Sequence, residues 1–250
     1  MFYVLRKARK LYLPIDILLQ LFDAMVAPIL LYGAEVWGYE NNDVIESLHL
    51  EFCKYIMKVK KSTPNCIIYG ELGRVPMSVS INARMIGFWE RIITGKKEKI
   101  SRTLYDMLYR LDAGDVYHSK WLIHVKNVLV SCGHMNLWVD QFLARNFCLS
   151  KKVKQCCHDS FIEKWEREVF NSPKCLNYRM YKSKFGFEKY LTILPYDLMY
   201  ILCKFRCCSH RLPIESGRFF SIDRSDRICD LCNLDELGDE FHICKIVIFQ

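Results

Sequence analysis

The chain is expected to be mainly α-helical, a helical bundle with a small Cys/His segment at its C-terminal end. Apolar residues recur at helical spacing along most of the 250 residues, and sustained period-two alternation is scarce, leaving room for a short hairpin at most. A cluster of Cys and His between residues 229 and 244 has the look of a zinc knuckle.

The helices follow in chain order. Between Pro14 and Ala27, Leu18, Leu21, Phe22 and Met25 share one face, and Pro14 suits a first turn; Pro28 and Gly33 break the run. In DVIESLHLEFCKYIMKVKK, Ile45, Leu48, Phe52 and Ile56 form a stripe. Asp43 is a plausible N-cap there, and Lys54, Lys58, Lys60 and Lys61 gather where the helix dipole favours cations. Ser78 is placed to cap a third helix, with Ile81, Met85, Phe88 and Ile92 inward, Arg84 and Arg91 outward, and Gly95 at its end. Further stripes run through Leu104, Leu108 and Leu111, through Trp121, Val125, Val128 and Leu129, and through Phe161, Trp165 and Val169. Trp121, Trp138 and Trp165 read as core aromatics rather than stacking platforms for bases.

Breaks at DAGD (112–115), at Ser172-Pro173 and at Pro195 divide the chain into three expected stretches: 1–112, helical; 113–195, a helical middle; and 196–250, a basic helix with the Cys/His tail. The most apolar segment, Leu18 to Gly38, contains Asp23, Pro28 and Glu35, which argues against a membrane span. The first residues, MFYVLRKARK, place charge after the apolar residues, the reverse of a secretory signal. Thirteen cysteines without such a signal point to reduced thiols, most of them small core residues, and to an intracellular setting, nuclear or cytoplasmic.

The net charge of +8 is uneven. Residues 54 to 110 hold twelve Lys and Arg against four acids, so this stretch carries the whole excess. Basic clusters suit polyanions, although solvated helix faces read the same way.

Chemistry-bearing motifs are few. The chain has no Asp-Asp pair for two-metal catalysis, no phosphate-cradling GxxxxGK[ST] and no GxGxxG, and GELGRV (70–75) reads as a turn. No nucleophile elbow or thiol-protease signature surrounds its Ser, Cys or His residues. In RICDLCNLDELGDEFHIC (227–244), Cys229-x2-Cys232 is followed after nine residues by His242, a spacing that can hold one Zn²⁺ tetrahedrally. Cys244 is the candidate fourth ligand, with a bite of one intervening residue where three to five are usual. Two half-buried thiols beside a surface histidine are the plainer reading. Upstream, Lys204, Arg206, Arg211 and Arg218, then Arg224 and Arg227, would suit phosphate contacts or simply face water.

Several blocks together carry a resemblance. LFDAMVAPILLYGAEVWG (21–38), FCKYIMKVKKSTPNCIIYGELGRVPMSV (52–79), KCLNYRMYK (174–182), KFRCCSHRLPIESGRFFSI (204–222) and RICDLCNLDELGDEFH (227–242) resemble, in order, the region downstream of the catalytic domain in non-long-terminal-repeat retrotransposon reverse transcriptases. The resemblance implies that residues 1 to about 110 hold the end of a polymerase thumb and a helical connector. It also implies that the basic tail holds template RNA or target DNA during target-primed reverse transcription. The family's aromatic-x-Asp-Asp palm, which works with Mg²⁺, is expected upstream of Met1, as is its endonuclease, so no polymerase activity is expected of this chain alone. Carried over, Lys58, Lys60, Lys61 and Arg84 contact duplex backbone, and Arg206, Arg211 and Arg218 contact the tail's RNA or DNA. One departure is plain. The family's final cysteine follows the histidine by about five residues, a slot held here by Val247, so that the ending ICKIVIFQ reads as a frame change or truncation. The competing expectations are a non-catalytic helical interaction domain or inert pseudogene product and, less favoured, an independent enzyme.

Overall fold

The computed structural model describes residues 12–40, 42–143 and 148–249, which leaves the stretch 1–10 outside the described residues. Helix dominates. The longer elements are α1 (Ile15–Leu21), α2 (Asn42–Met57), α3 (Asn65–Leu72), α4 (Met77–Ile93), α5 (Ile100–Ala113), α6 (Lys120–Ser131), α7 (Leu149–Asn171), α8 (Tyr196–Arg206), α9 (Pro213–Phe219) and α10 (Glu240–Phe249). Extended pairing among the described residues is confined to isolated antiparallel bridges, Leu72 with Phe187 and Ile228 with Leu237. No helix among them is long and apolar enough to cross a membrane.

The chain divides into two units that interleave in sequence, in place of three consecutive stretches. One comprises Met1–Leu21, Leu50–Arg74 and Lys164–Gln250; the other comprises Phe22–His49 and Val75–Glu163. The long helices α2 and α7 each begin in the second unit and end in the first, which is why breaks in the sequence at 112 and 195 do not mark its limits.

In the second unit α4 is the central helix. Ile81, Met85, Ile86 and Trp89 are fully buried, and each large apolar side chain removed from water contributes about 1.5–3 kcal/mol. Gly38 permits a close approach to α4, since a Cβ there would lie 2.4 Å from Ile81. The helix is not capped by Ser78. Its first residue, Met77, donates its backbone N–H to the Glu46 carboxylate of α2 at 2.6 Å, a cap delivered from another helix. Elsewhere in this unit Phe22 is buried but Met25 is half-exposed, because residues Phe22–Val26 adopt a π turn that shifts the helical phase. Along α5 the buried residue is Tyr105 and Leu104 faces solvent, one position out of phase with the expected stripe.

In the first unit the C-terminal half of α2 supplies Phe52, Ile56 and Met57 to the core, and α3 is buried along nearly its whole length. GELGRV is thus the end of a helix: Gly70 and Glu71 lie within α3, and Gly73 terminates it at φ +58°. The bare Gly70 lets Trp165 and the Tyr178 hydroxyl approach to 2.7 and 2.6 Å of where a Cβ would sit. Trp165 donates its indole N–H to the Cys66 carbonyl at 2.7 Å, and Tyr200 its hydroxyl to the Ile56 carbonyl at 3.1 Å. Trp138 and Trp165 are buried, each in its own unit, as core aromatics. All thirteen cysteines are free thiols; Cys53, Cys66, Cys175, Cys203, Cys207, Cys208 and Cys229 are buried.

Candidate metal centre and basic surface

The Cys/His cluster is built on a short hairpin followed by a helix, all within the first unit. Residues 227 and 238 pair through Gly238 N–H to the Arg227 carbonyl at 2.8 Å, and Cys229 N–H reaches the Glu236 carbonyl at 2.9 Å. Between these rungs the chain turns tightly, and sulfur accepts from backbone: Leu231 N–H points at Cys229 Sγ, 3.4 Å away, and Leu234 N–H bonds Cys232. Each cysteine therefore has an amide two residues on aimed at its sulfur, which fixes the direction of both side chains.

Asp239 then starts α10, its carboxylate accepting the His242 N–H at 2.9 Å as an N-cap. This turn aims His242 back at the hairpin. The ligand atoms of Cys229, Cys232 and His242 lie within 4.8 Å of one another, with Cys232 Sγ 3.1 Å from His242 Nε2. Tetrahedral zinc, with bonds of roughly 2.3 Å to sulfur and 2.0 Å to nitrogen, spaces such atoms roughly 3.5 Å apart, so the donor set and its spacing fit the ion. Cys244 is not part of the cluster. Two residues along a helix turn the side chain by about 200°, so a ligand pair on one ion cannot be made from His242 and Cys244 while α10 stays helical.

The histidine is held from its other side. Nδ1 lies 2.8 Å from a Glu236 carboxylate oxygen, and because an ionised carboxylate only accepts, the proton sits on Nδ1 and the Nε2 lone pair faces the thiols. The hydrogen bond with His242, then that with Lys245, hold the Glu236 carboxyl below its ordinary value. The start of α10 is anchored in turn by Glu240, which is buried and accepts from His210 at 2.7 Å and from Asn177. Burial alone would raise the Glu240 carboxyl, but the bonds from His210 and Asn177 outweigh it and bring it down to about 2.

The expected phosphate-contacting residues fare differently. Lys61 and Arg211 are exposed, the Lys61 ammonium 3.7 Å from Glu51. Lys60 and Arg218 line one cavity, where Lys60 Nζ donates to the His210 carbonyl at 2.7 Å and Arg218 pairs with Glu215 at 2.6 Å. Lys58 lays its ammonium over the rings of Tyr200 and Tyr196, 3.7 and 4.4 Å from their centroids, a cation–π arrangement that holds the end of α2. Arg84, in the second unit, is exposed, reaches the Leu31 carbonyl at 3.2 Å and lines a smaller cavity with Lys151 and Lys154.

Arg206 is a correction. Its side chain is 13% exposed and grips the fully buried Glu71 carboxylate through Nε at 3.0 Å and Nη2 at 2.9 Å, with Glu188 at 3.4 Å. A guanidinium so engaged is a structural cation rather than a phosphate ligand. Arg227 likewise donates to the carbonyls of Ile222 and Ile214. Glu236 and Glu71 escaped the sequence reading; for Glu236 the signal was its position between the CxxC and the histidine, whereas Glu71 carried none.

No protein family, curated protein or solved structure matches the chain.

Proposed function

We propose that this chain is the nucleic-acid-binding, non-catalytic portion of a reverse-transcriptase-like protein of the non-long-terminal-repeat retrotransposon kind, with one zinc ion on Cys229, Cys232 and His242. The observation that carries the reading is the three-donor cluster with its histidine oriented by Glu236. In this reading the ion is structural, joining the hairpin to α10. Three protein ligands leave one coordination position for water or another group. The unit's exposed cations, Lys61 and Arg211 among them, then bind phosphate without reading bases.

Elemental analysis of the purified chain, with Cys229→Ser and His242→Ala alongside, tests the metal. About one zinc per chain, lost in both variants, is the expected result; zinc retained by both would refute the ligand set. Nucleic-acid affinity is expected to fall steeply as salt rises. A chain that binds neither RNA nor DNA at low salt is instead a helical interaction domain.

A further inference from the structure

The first unit contains an open cavity of about 850 Å³ whose walls combine two kinds of chemistry. Lys60, Lys61, Lys174 and Arg218 bring four cations to it, against the single carboxylate of Glu215, which Arg218 already pairs. At its rim stand two adjacent phenylalanines, Phe219 and Phe220, 85% and 69% exposed, their rings edge to face with centroids 5.4 Å apart. Both rings are thus left largely in water at the mouth of a positive cavity. A third feature points inward. Thr63 lines the cavity, is 4% exposed, and its hydroxyl has no hydrogen-bond partner among the described residues. A buried hydroxyl left without a partner costs about 1–3 kcal/mol, so this wall of the cavity carries a polar atom that the fold itself does not satisfy.

We propose that this cavity is a site for unpaired nucleic acid, RNA or DNA, in which one or two bases stack on Phe219 and Phe220 while Lys61 and Lys174 hold the flanking phosphates. It rests on the nucleic-acid reading above and adds to it the strandedness of the ligand and the residues that read it. A duplex keeps its base faces covered and cannot use the phenylalanines, so the site discriminates by stacking rather than by charge. The rings' neighbourhood to four cations favours a polyanion with aromatic faces over an apolar partner, which would not need the charges, and over a simple anion, which would not need the rings.

The test is fluorescence anisotropy at low salt with labelled oligo(dT) and oligo(rU) strands of about ten nucleotides and a hairpin duplex of matching charge. The proteins are the full chain, a Phe219→Ala/Phe220→Ala variant and a Lys61→Ala/Lys174→Ala variant. All four residues are exposed, so the variants are expected to melt as the parent does. The expected result is preference for single strands, a loss of about tenfold or more on both strands in the phenylalanine variant with duplex binding unchanged, and a loss on every probe in the lysine variant. Whether dT or rU binds tighter identifies the natural strand. Single-strand binding that ignores the phenylalanine change overturns the cavity but leaves the nucleic-acid reading intact. No binding to any probe overturns both. Phenylalanine-dependent binding to anionic phosphatidylserine vesicles, with oligonucleotide binding unaffected, overturns the site and assigns the rim to a membrane surface.

Discussion

Glu236 and His242 face each other at 2.8 Å across the imidazole Nδ1, on the side of the ring opposite Cys232. The carboxylate fixes both the ring's orientation and its tautomer, so the nitrogen that points at the thiols is the one able to bind a metal. Substituting such an outer partner typically weakens metal binding 10–100-fold. Glu236→Gln is therefore expected to weaken zinc affinity by about tenfold or more while the far-ultraviolet spectrum of the helices stays unchanged. Competition with a chromophoric chelator measures it, and equal affinities for the two proteins would remove Glu236 from the centre.

Arg206 and Glu71 form a pair of another kind. Glu71 is fully buried and receives both nitrogens of the guanidinium and the Tyr190 hydroxyl at 2.6 Å. Removing one partner of such a pair leaves a charge without compensation in a dry site and costs about 3–5 kcal/mol. Arg206→Ala is expected to lose that much in urea denaturation. An exposed phosphate-binding arginine would instead cost less than about 0.5 kcal/mol, and that outcome would return Arg206 to the binding surface.

These two pairs mark what the sequence could and could not disclose. Helical character was plain because apolar spacing is local, and Ile45, Phe52, Ile56, Val125 and Trp165 are buried where the stripes put them. The clustering of Cys229, Cys232 and His242 was legible for the same reason, the three lying within fourteen residues of one another. Phase and pairing were not. The π turn after α1 rotated Met25 outward, and Tyr105 took the buried place expected of Leu104. Arg206 looked like its basic neighbours because the acid that neutralises it is 135 positions away. Cys244 looked like a ligand until the helix that carries it set its direction.

Gly73 ends α3 under two constraints at once. Its φ of +58° is left-handed, and a Cβ there would stand 2.4 Å from the Phe187 backbone nitrogen, next to the bridge between Leu72 and Phe187. The neighbour is main chain and cannot rotate away. Gly133, at φ +73° with open space around it, has the strain without the collision. Gly133→Ala is expected to cost about 1 kcal/mol and Gly73→Ala about 3 kcal/mol or more. Thermal melts of the two variants separate the effects, and equal costs would show that the chain at Phe187 yields.

Tyr105 ties stability to alkaline pH in the second unit. Its hydroxyl accepts from the Trp89 indole at 2.9 Å and donates to Gln141 at 2.7 Å. Burial pushes the phenol up to about 12, although the N–H donated by Trp89 acts to lower it. The unfolded phenol ionises near 10. Below that pH both states are protonated and ionisation contributes nothing. From about pH 10 to 12 the unfolded chain releases its proton while the folded chain retains it, so stability falls as pH rises, by about 1.4 kcal/mol per unit. Tyr105→Phe cannot ionise, but it leaves Trp89 and Gln141 without their partner, so at pH 8 it is expected to be the less stable protein by about 1–3 kcal/mol. Other tyrosines and the lysines titrate alike in both proteins and cancel in the comparison. The gap between them should therefore shrink by about 1.4 kcal/mol between pH 8 and pH 11 in urea titrations. A gap that stays constant would mean that the phenol ionises as freely in the folded protein as in the unfolded one, and that Tyr105 is not sealed in the core beside Trp89.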